Sequence, residues 1–155
     1  MFSTRRQEEI ARIEWDGLKE ATKRILVKDL KHPGQKKGND VYCDLPDPAF
    51  AIADAMPKTD DQIFPYNERT ISARFTRACK FLQIVDLHFH DLRHDGVSRL
   101  FEMGLTIPQV AAVSAHRSWA SLQRYTHLEE SGDKYENWEW KDRLTKPLQV
   151  EKDVG

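Results

Sequence analysis

The chain has 155 residues, 39% apolar and 32% charged, with a formal net charge of −1; that is the length and balance of one soluble globular domain. No stretch approaches the roughly 18 apolar residues of a membrane span, and Met1-Phe2-Ser3-Thr4-Arg5-Arg6 has no apolar core behind it, which excludes a signal peptide. Cys43 and Cys79 lie in apolar contexts without CxxC spacing, the pattern of buried free thiols in a cytoplasmic protein.

In chain order, Arg5 to Trp15 predicts a short helix with Ile10, Ile13 and Trp15 turned inward. Ile25-Leu26-Val27 suits a strand, the turn formers from His32 to Asp40 a loop, and Val41 to Leu45 the returning strand. Together they make a β-hairpin or small antiparallel sheet with a basic tip. Asp47 to Met56 predicts a helix capped by Asp47 with Pro48 at its first position. Asp60 to Asn67 is a connection. Thr70 caps the next helix, whose stripe is Ile71, Phe75, Ala78 and Leu82. Asp91 caps another, with Val97, Leu100 and Phe101 on its apolar side and a stop near Gly104. Thr106 with Gln109 forms a capping box for Ile107 to Ser114. Ser118 opens the helix carrying Leu122 and Tyr125, and an acidic, aromatic tail follows with Tyr135, Trp138 and Trp140. The fold class is α+β, mostly helical, with its small sheet near the N-terminus.

Charge is unevenly spread. Residues 1–40 hold ten Lys/Arg against seven Asp/Glu and residues 67–127 eight against five, while 41–66 and 128–155 are acidic. Two basic segments folded together present a positive face to phosphates, whatever the net charge. Arg69, Arg74, Arg77 and Lys80 on the 70–82 helix are candidate phosphate contacts, although a solvated face accounts for them equally well.

The chemistry concentrates in His90-Asp91-Leu92-Arg93-His94, then His116, then Tyr125 nine positions on. His90 and Arg93, three apart at a helix start, project to one side, where free N–H groups favour an anion. Arginine offers a phosphodiester two parallel hydrogen bonds and stays charged at any working pH. His90 can relay a proton or donate to a non-bridging oxygen. Taken singly, Tyr125 reads as a half-buried packing residue, His116 as a turn histidine and His94 as a structural residue. His88, His90 and His94 lack a carboxylate or thiolate at metal-site spacing, which argues against a metal.

The stretch FHDLRHDGVSRLFEMGLTIPQVAAVSAHRSWASLQRYTHL, residues 89–128, resembles the C-terminal signature of the tyrosine recombinases, the phage-integrase family. It carries their H-x-x-R, their later histidine in a G-H-like turn, and their Y-x-H. Upstream, Thr4 to Ile10 resembles the family's T-G-x-R-x-x-E-[IL] segment; counting back three from Glu9 puts the first catalytic arginine at Arg6, not Arg5, with Glu9 as a supporting carboxylate. The hairpin resembles the element bearing the family's lysine, for which Lys31 fits best and Lys36 and Lys37 are rivals.

The resemblance implies that residues 1–128 form a tyrosine-recombinase catalytic domain and 129–155 a tail that packs in cis or in trans. Tyr125 would attack a phosphodiester of double-stranded DNA, forming a 3′-phosphotyrosyl link and freeing a 5′-hydroxyl. Arg6 and Arg93 would neutralise the pentacoordinate phosphorane and His116 would add a hydrogen bond. Lys31 would protonate the leaving oxygen, and His90 would assist deprotonation of Tyr125. The link stores the phosphodiester energy, so neither ATP, metal nor another cofactor is implied. The family acts as a homotetramer on two DNA sites; a lone catalytic fragment would be a monomer. Because the family has a further helix and a DNA-clamping domain upstream, the chain resembles a catalytic domain cut from a longer integrase, bacterial or phage-encoded.

Two departures stand out. The glycine usual after the threonine is absent, and Ala115 replaces the glycine before His116; alanine there is mild at an ordinary backbone angle and costly at positive φ. The alternatives are a type IB topoisomerase, which relaxes supercoils with similar residues, and a non-catalytic DNA-binding regulator derived from an integrase. A helical interaction domain with chance motifs is the plainest.

Overall fold

The computed structural model describes residues 1–30 and 38–147. Its helices are α1 Gln7–Ile10, α2 Asp47–Asp54, α3 Glu68–Phe81, α4 Asp91–Glu102, α5 Ile107–Ser114, α6 Ala120–Gln123 and α7 Lys141–Leu144, and its strands β1 Leu18–Lys19, β2 Arg24–Val27 and β3 Val41–Asp44. The strands form an antiparallel sheet in the order β1-β2-β3, with Ile25 opposite both Leu18 and Cys43, and Val27 opposite Val41. Side chains alternate across a strand; Ile25, Val27 and Cys43 accordingly point inward, at 0%, 1% and 1% exposure. The α+β architecture with a small sheet near the N-terminus is therefore present.

Two hydrophobic clusters divide the molecule. One gathers Phe2, Ile13, Ile25, Val27, Leu30, Cys43, Leu45 and Ile63 around the sheet and α2. The other gathers Val97, Leu100, Phe101, Val110, Val113 and Leu122 from α4, α5 and α6. The inward face expected for α4 is the observed one. The capping box of α5 also forms, Thr106 N–H donating to Gln109 Oε1 at 2.8 Å. Cys43 and Cys79 are buried free thiols.

Five boundaries differ from expectation; at α4 the cap position is His90, so Asp91, the expected cap, lies in the first turn. The first helix stops at Ile10, not Trp15, because Ile13–Trp15 runs extended against 61–63: Ile63 N–H donates to Ile13 O and Trp15 N–H to Asp61 O, each at 3.0 Å. Burial of Ile13 and Ile63 in one cluster rewards that pairing over another helical turn. In α2 the cap position is Pro46, so Asp47 and Pro48 lie inside the first turn, where proline's missing N–H costs nothing. In α3 the cap is Asn67, three residues before Thr70, its Oδ1 accepting from Arg69 N–H at 2.9 Å. The expected stripe of α3 is not a buried one: only Cys79 of this helix is buried, and Leu82 falls beyond its end, 62% exposed. Finally, Ala120 rather than Ser118 starts α6, which leaves Tyr125 in the turn after the helix.

The tail lies against its own chain as far as Trp138. The rings of Tyr135 and Trp138 pack on Phe2 at 5.9 and 6.1 Å. Asp133 accepts a two-pronged bond from the buried Arg99, at 2.5 and 2.6 Å. Tyr135 donates to Asp95 at 2.8 Å, and Lys134 pairs with Asp95 at 2.8 Å. Beyond these contacts Trp140 and Leu144 remain exposed.

Candidate active site

The site lies at the seam between the two clusters, where three segments meet: the turn into α1, the start of α4 and the end of α5. Arg93, on the first turn of α4, is 5% exposed. Its Nη1 donates to Thr4 O across the seam and its Nη2 to Ser114 O at 3.1 Å. Arg5 is held similarly, donating to Val113 O at 2.5 Å and to Cys43 Sγ at 3.2 Å. Carbonyls at the C-terminus of α5 have no helical partner and carry the negative end of the helix dipole. They anchor two buried guanidiniums here.

Arg6 occupies the cap position of α1, and Glu9 turns back onto it: Arg6 N–H donates to Glu9 Oε2 at 3.1 Å and Nη1 to Oε1 at 2.9 Å. Arg5 Nη1 stands 3.7 Å from the same carboxylate. Burial alone pushes Glu9 up, but the Arg5 charge and the Arg6 bonds outweigh it and hold the carboxyl below its ordinary range. One carboxylate thus faces Arg5, Arg6 and Arg93. A cleft of about 260 Å³ opens over them, lined by Arg5, Arg6, Gln7, Glu8, Glu68, Phe89, His90 and Arg93.

Neighbouring guanidiniums contribute to the shifts of three further groups here. Burial, then Arg5 and Arg6, lower Arg93 to about 10, still fully charged at neutral pH. Burial, then Arg93, Arg6 and Arg5, lower His116 to about 4, so its imidazole is neutral. Arg93 Nη2 is 3.4 Å from Nδ1 and 3.3 Å from Nε2 of that ring. Near-equal distances place the guanidinium over the ring face, not in its plane. His116 Nδ1 is engaged in the plane by Ser114 Oγ at 2.7 Å. His90, at the cap position of α4, is lowered by burial, then by His94, Arg93 and Arg6.

Backbone geometry answers both departures. Ala115 ends α5 with φ 53°, a left-handed conformation that costs a residue with a Cβ about 1–2 kcal/mol; it swings the chain so that His116 turns back under Arg93. With Arg6 as the arginine of the T-G-x-R segment, the glycine position falls on Thr4, which also has φ 53° and is fully buried. Both positions keep a glycine's conformation without a glycine.

Of the predicted residues, Arg6, His90, Arg93 and His116 come together around the cleft and its floor. Tyr125 is half-buried, stacked on Phe101 with centroids 6.1 Å apart and planes at 11°. Its hydroxyl meets His94 Nδ1 at 2.5 Å, not His90. Lys31, Lys36 and Lys37 lie outside the described residues; of the segment that bears them, the described foot, Asn39, is tied to Arg117 beside His116 at 2.9 Å. Sequence reasoning passed over Arg5 and His94. Arg5 carries no local signal, because its acceptor is 108 residues away. His94 does carry one: it stands one helical turn after His90 and shares its face.

Comparison with known proteins places this architecture. The crystal structure of XerA recombinase aligns over 84% of this chain and 50% of its own, with a TM-score of 0.61 and 19% identity, a likeness of fold. The shufflon-specific DNA recombinase of Escherichia coli is 36% identical over 130 residues, which are 79% of this chain and 31% of that protein. The model of the phage integrase family matches residues 3–131. The chain therefore belongs to the phage integrase family, and it spans about a third of this curated relative and half of the solved one.

Proposed function

We propose that the chain is the catalytic domain of a site-specific tyrosine recombinase, which cuts and rejoins double-stranded DNA through a 3′-phosphotyrosyl intermediate. The observation that carries this reading is the convergence of Arg5, Arg6, His90 and Arg93 on one cleft, which Glu8 and Glu68 also line, with the two buried guanidiniums Arg5 and Arg93 at its floor and a Tyr125 phenolate near enough to bear on Arg93. Like charges held together in a partly buried cleft are costly until an anion enters. A phosphorane carries more negative charge than a phosphodiester, so such a cleft favours the transition state over the ground state.

Arg6 and Arg93 hold the non-bridging oxygens, Arg6 being the more exposed of the two. Arg5, roped to Val113 O, contributes charge from beneath. His116, its Nδ1 taken by Ser114, meets the phosphate through Nε2. His90, lining the cleft, donates to a phosphate oxygen. The leaving 5′-oxygen takes its proton from Lys31, or from Lys36 or Lys37. No metal and no ATP enter, because the guanidiniums supply the charge and the phosphotyrosyl bond keeps the energy for rejoining.

The relative's name specifies a DNA recombinase, which supports strand exchange over simple relaxation. The chain works where the DNA is, in the cytoplasm of a bacterial host, and four copies assemble on two sites when joined to a DNA-clamping domain. Among the described residues, Trp140 and Leu144 are the exposed large apolar side chains of the tail and could reach a neighbour. The test is a plasmid carrying two copies of a site from the DNA flanking the gene: inversion or deletion between the sites supports recombination. Relaxation without exchange makes the chain a topoisomerase, and binding without either makes it a regulator.

A further inference from the structure

We propose that His94, not His90, accepts the phenolic proton of Tyr125 during strand cleavage; the inference rests on the reading of Tyr125 as nucleophile. Three observations on α4 carry it. His90, His94 and Phe101 fall at i, i+4 and i+11, a single stripe along the helix. Tyr125 lies along that stripe, its ring stacked on Phe101 at 6.1 Å and its hydroxyl 2.5 Å from His94 Nδ1. A base must first be within hydrogen-bond reach of the proton it takes, about 2.6–3.2 Å or closer, and His94 alone of the two histidines meets that condition.

The two imidazoles divide the work by position. His90 stands with Arg6 and Arg93 at the cleft, where an oxygen of the phosphate would lie. His94 stands one turn further on, its ring edge-on to that of His90 at 5.0 Å, and is exposed, so a proton it accepts can pass to water. In the step, Tyr125 Oη forms its bond to phosphorus as the O–H proton moves to His94 Nδ1. The P–O5′ bond breaks, and its electron pair takes a proton from the general acid of the proposed reaction, Lys31, Lys36 or Lys37. Religation reverses both transfers, His94 returning a proton to the departing phenolate. The phosphate is a monoanionic diester before and after the step, and no oxidant or further reactant is needed.

The experiment measures single-turnover formation of the covalent adduct on a nicked suicide duplex, for the parent chain, His94→Ala and His94→Gln. Because His94 is exposed, both variants should keep the parent's circular dichroism and Tm. Each should slow adduct formation by about 100-fold or more, the glutamine variant because it can accept a hydrogen bond but cannot carry the proton. Both deficits should persist on a substrate with a bridging sulfur at the 5′ position, whose thiolate leaves unprotonated. Glutamine restoring the parental rate would make His94 a positioning residue only; the sulfur substrate erasing the deficit would move His94 to the leaving group. Either result overturns the proposal, as does a parental rate in His94→Ala. A readout independent of activity accompanies these: the ring nitrogen resonances of His94 should shift in Tyr125→Phe, and no shift would deny the contact. If the parent itself forms no adduct on Tyr125, the catalytic reading fails and this inference with it; normal adducts from both variants sink the inference alone.

Discussion

At the scale of single residues, the site is shaped by backbone angles that its side chains do not favour. Ala115 holds φ 53° at the end of α5, so Ala115→Gly should relieve strain and stabilise the protein by about 1 kcal/mol, read as a rise in Tm. His116 gives a pH signature. Its folded value, about 4 against an ordinary 6.5, is depressed by burial and then by Arg93. The unfolded chain therefore takes up the proton first: the contribution is complete above about pH 6.5 and is lost as pH falls toward 4. Urea melts at pH 7 and pH 4.5 should show the parent losing about 1–2 kcal/mol more than His116→Gln. An equal loss in both would mean that the ring is not held neutral by its surroundings. At this scale the gathering of Arg6, His90, Arg93 and His116 around one cleft was legible only through the family resemblance, since taken singly His116 and Tyr125 read as structural residues. The hidden parts were those decided by distant partners. Arg5 reads as one more solvated charge until Val113 O closes on it, and the choice between His90 and His94 depends on where a residue 31 positions away is set down.

At the scale of elements, periodicity foretold α4 and α5 well because each buries a regular face, and the hairpin was legible from the run Ile25-Leu26-Val27 and the turn formers that follow it. It failed where an element answers to a remote strand or lacks a covering layer. The helix at Arg5 ends early because Ile13–Trp15 pairs with 61–63, a partner no local window contains. The stripe of α3 is apolar in the sequence yet largely uncovered among the described residues. The tail joins α4 through Arg99 and Asp133. Asp133 is held below the usual carboxylate range first by the bond from Arg99, and Arg99 is 1% exposed. Asp133→Ala leaves that guanidinium buried without its counter-charge and should cost about 3–5 kcal/mol in denaturant unfolding. A loss below about 1 kcal/mol would show that the tail is not fastened there.

At the scale of the molecule, two apolar clusters are joined across a polar seam, and that seam holds the candidate site. Arg93 touches both halves, bonding Thr4 O on one side and Ser114 O on the other. The residue proposed to hold the phosphate is thus also a clasp between the clusters. Substitution of Arg93 will confuse loss of chemistry with loss of fold, which makes Tyr125, half-buried and bonded through one hydroxyl, the cleaner probe. The most direct measurement traps the protein on a nicked suicide duplex, digests the denatured complex and sequences the DNA-bearing peptide by mass spectrometry. The account predicts a nucleotide joined through its 3′-phosphate to Tyr125, a free 5′-hydroxyl on the other strand end, and no adduct from Tyr125→Phe. A linkage at Tyr42, Tyr66 or Tyr135, a 5′-phosphate linkage, or an adduct that survives Tyr125→Phe would contradict it.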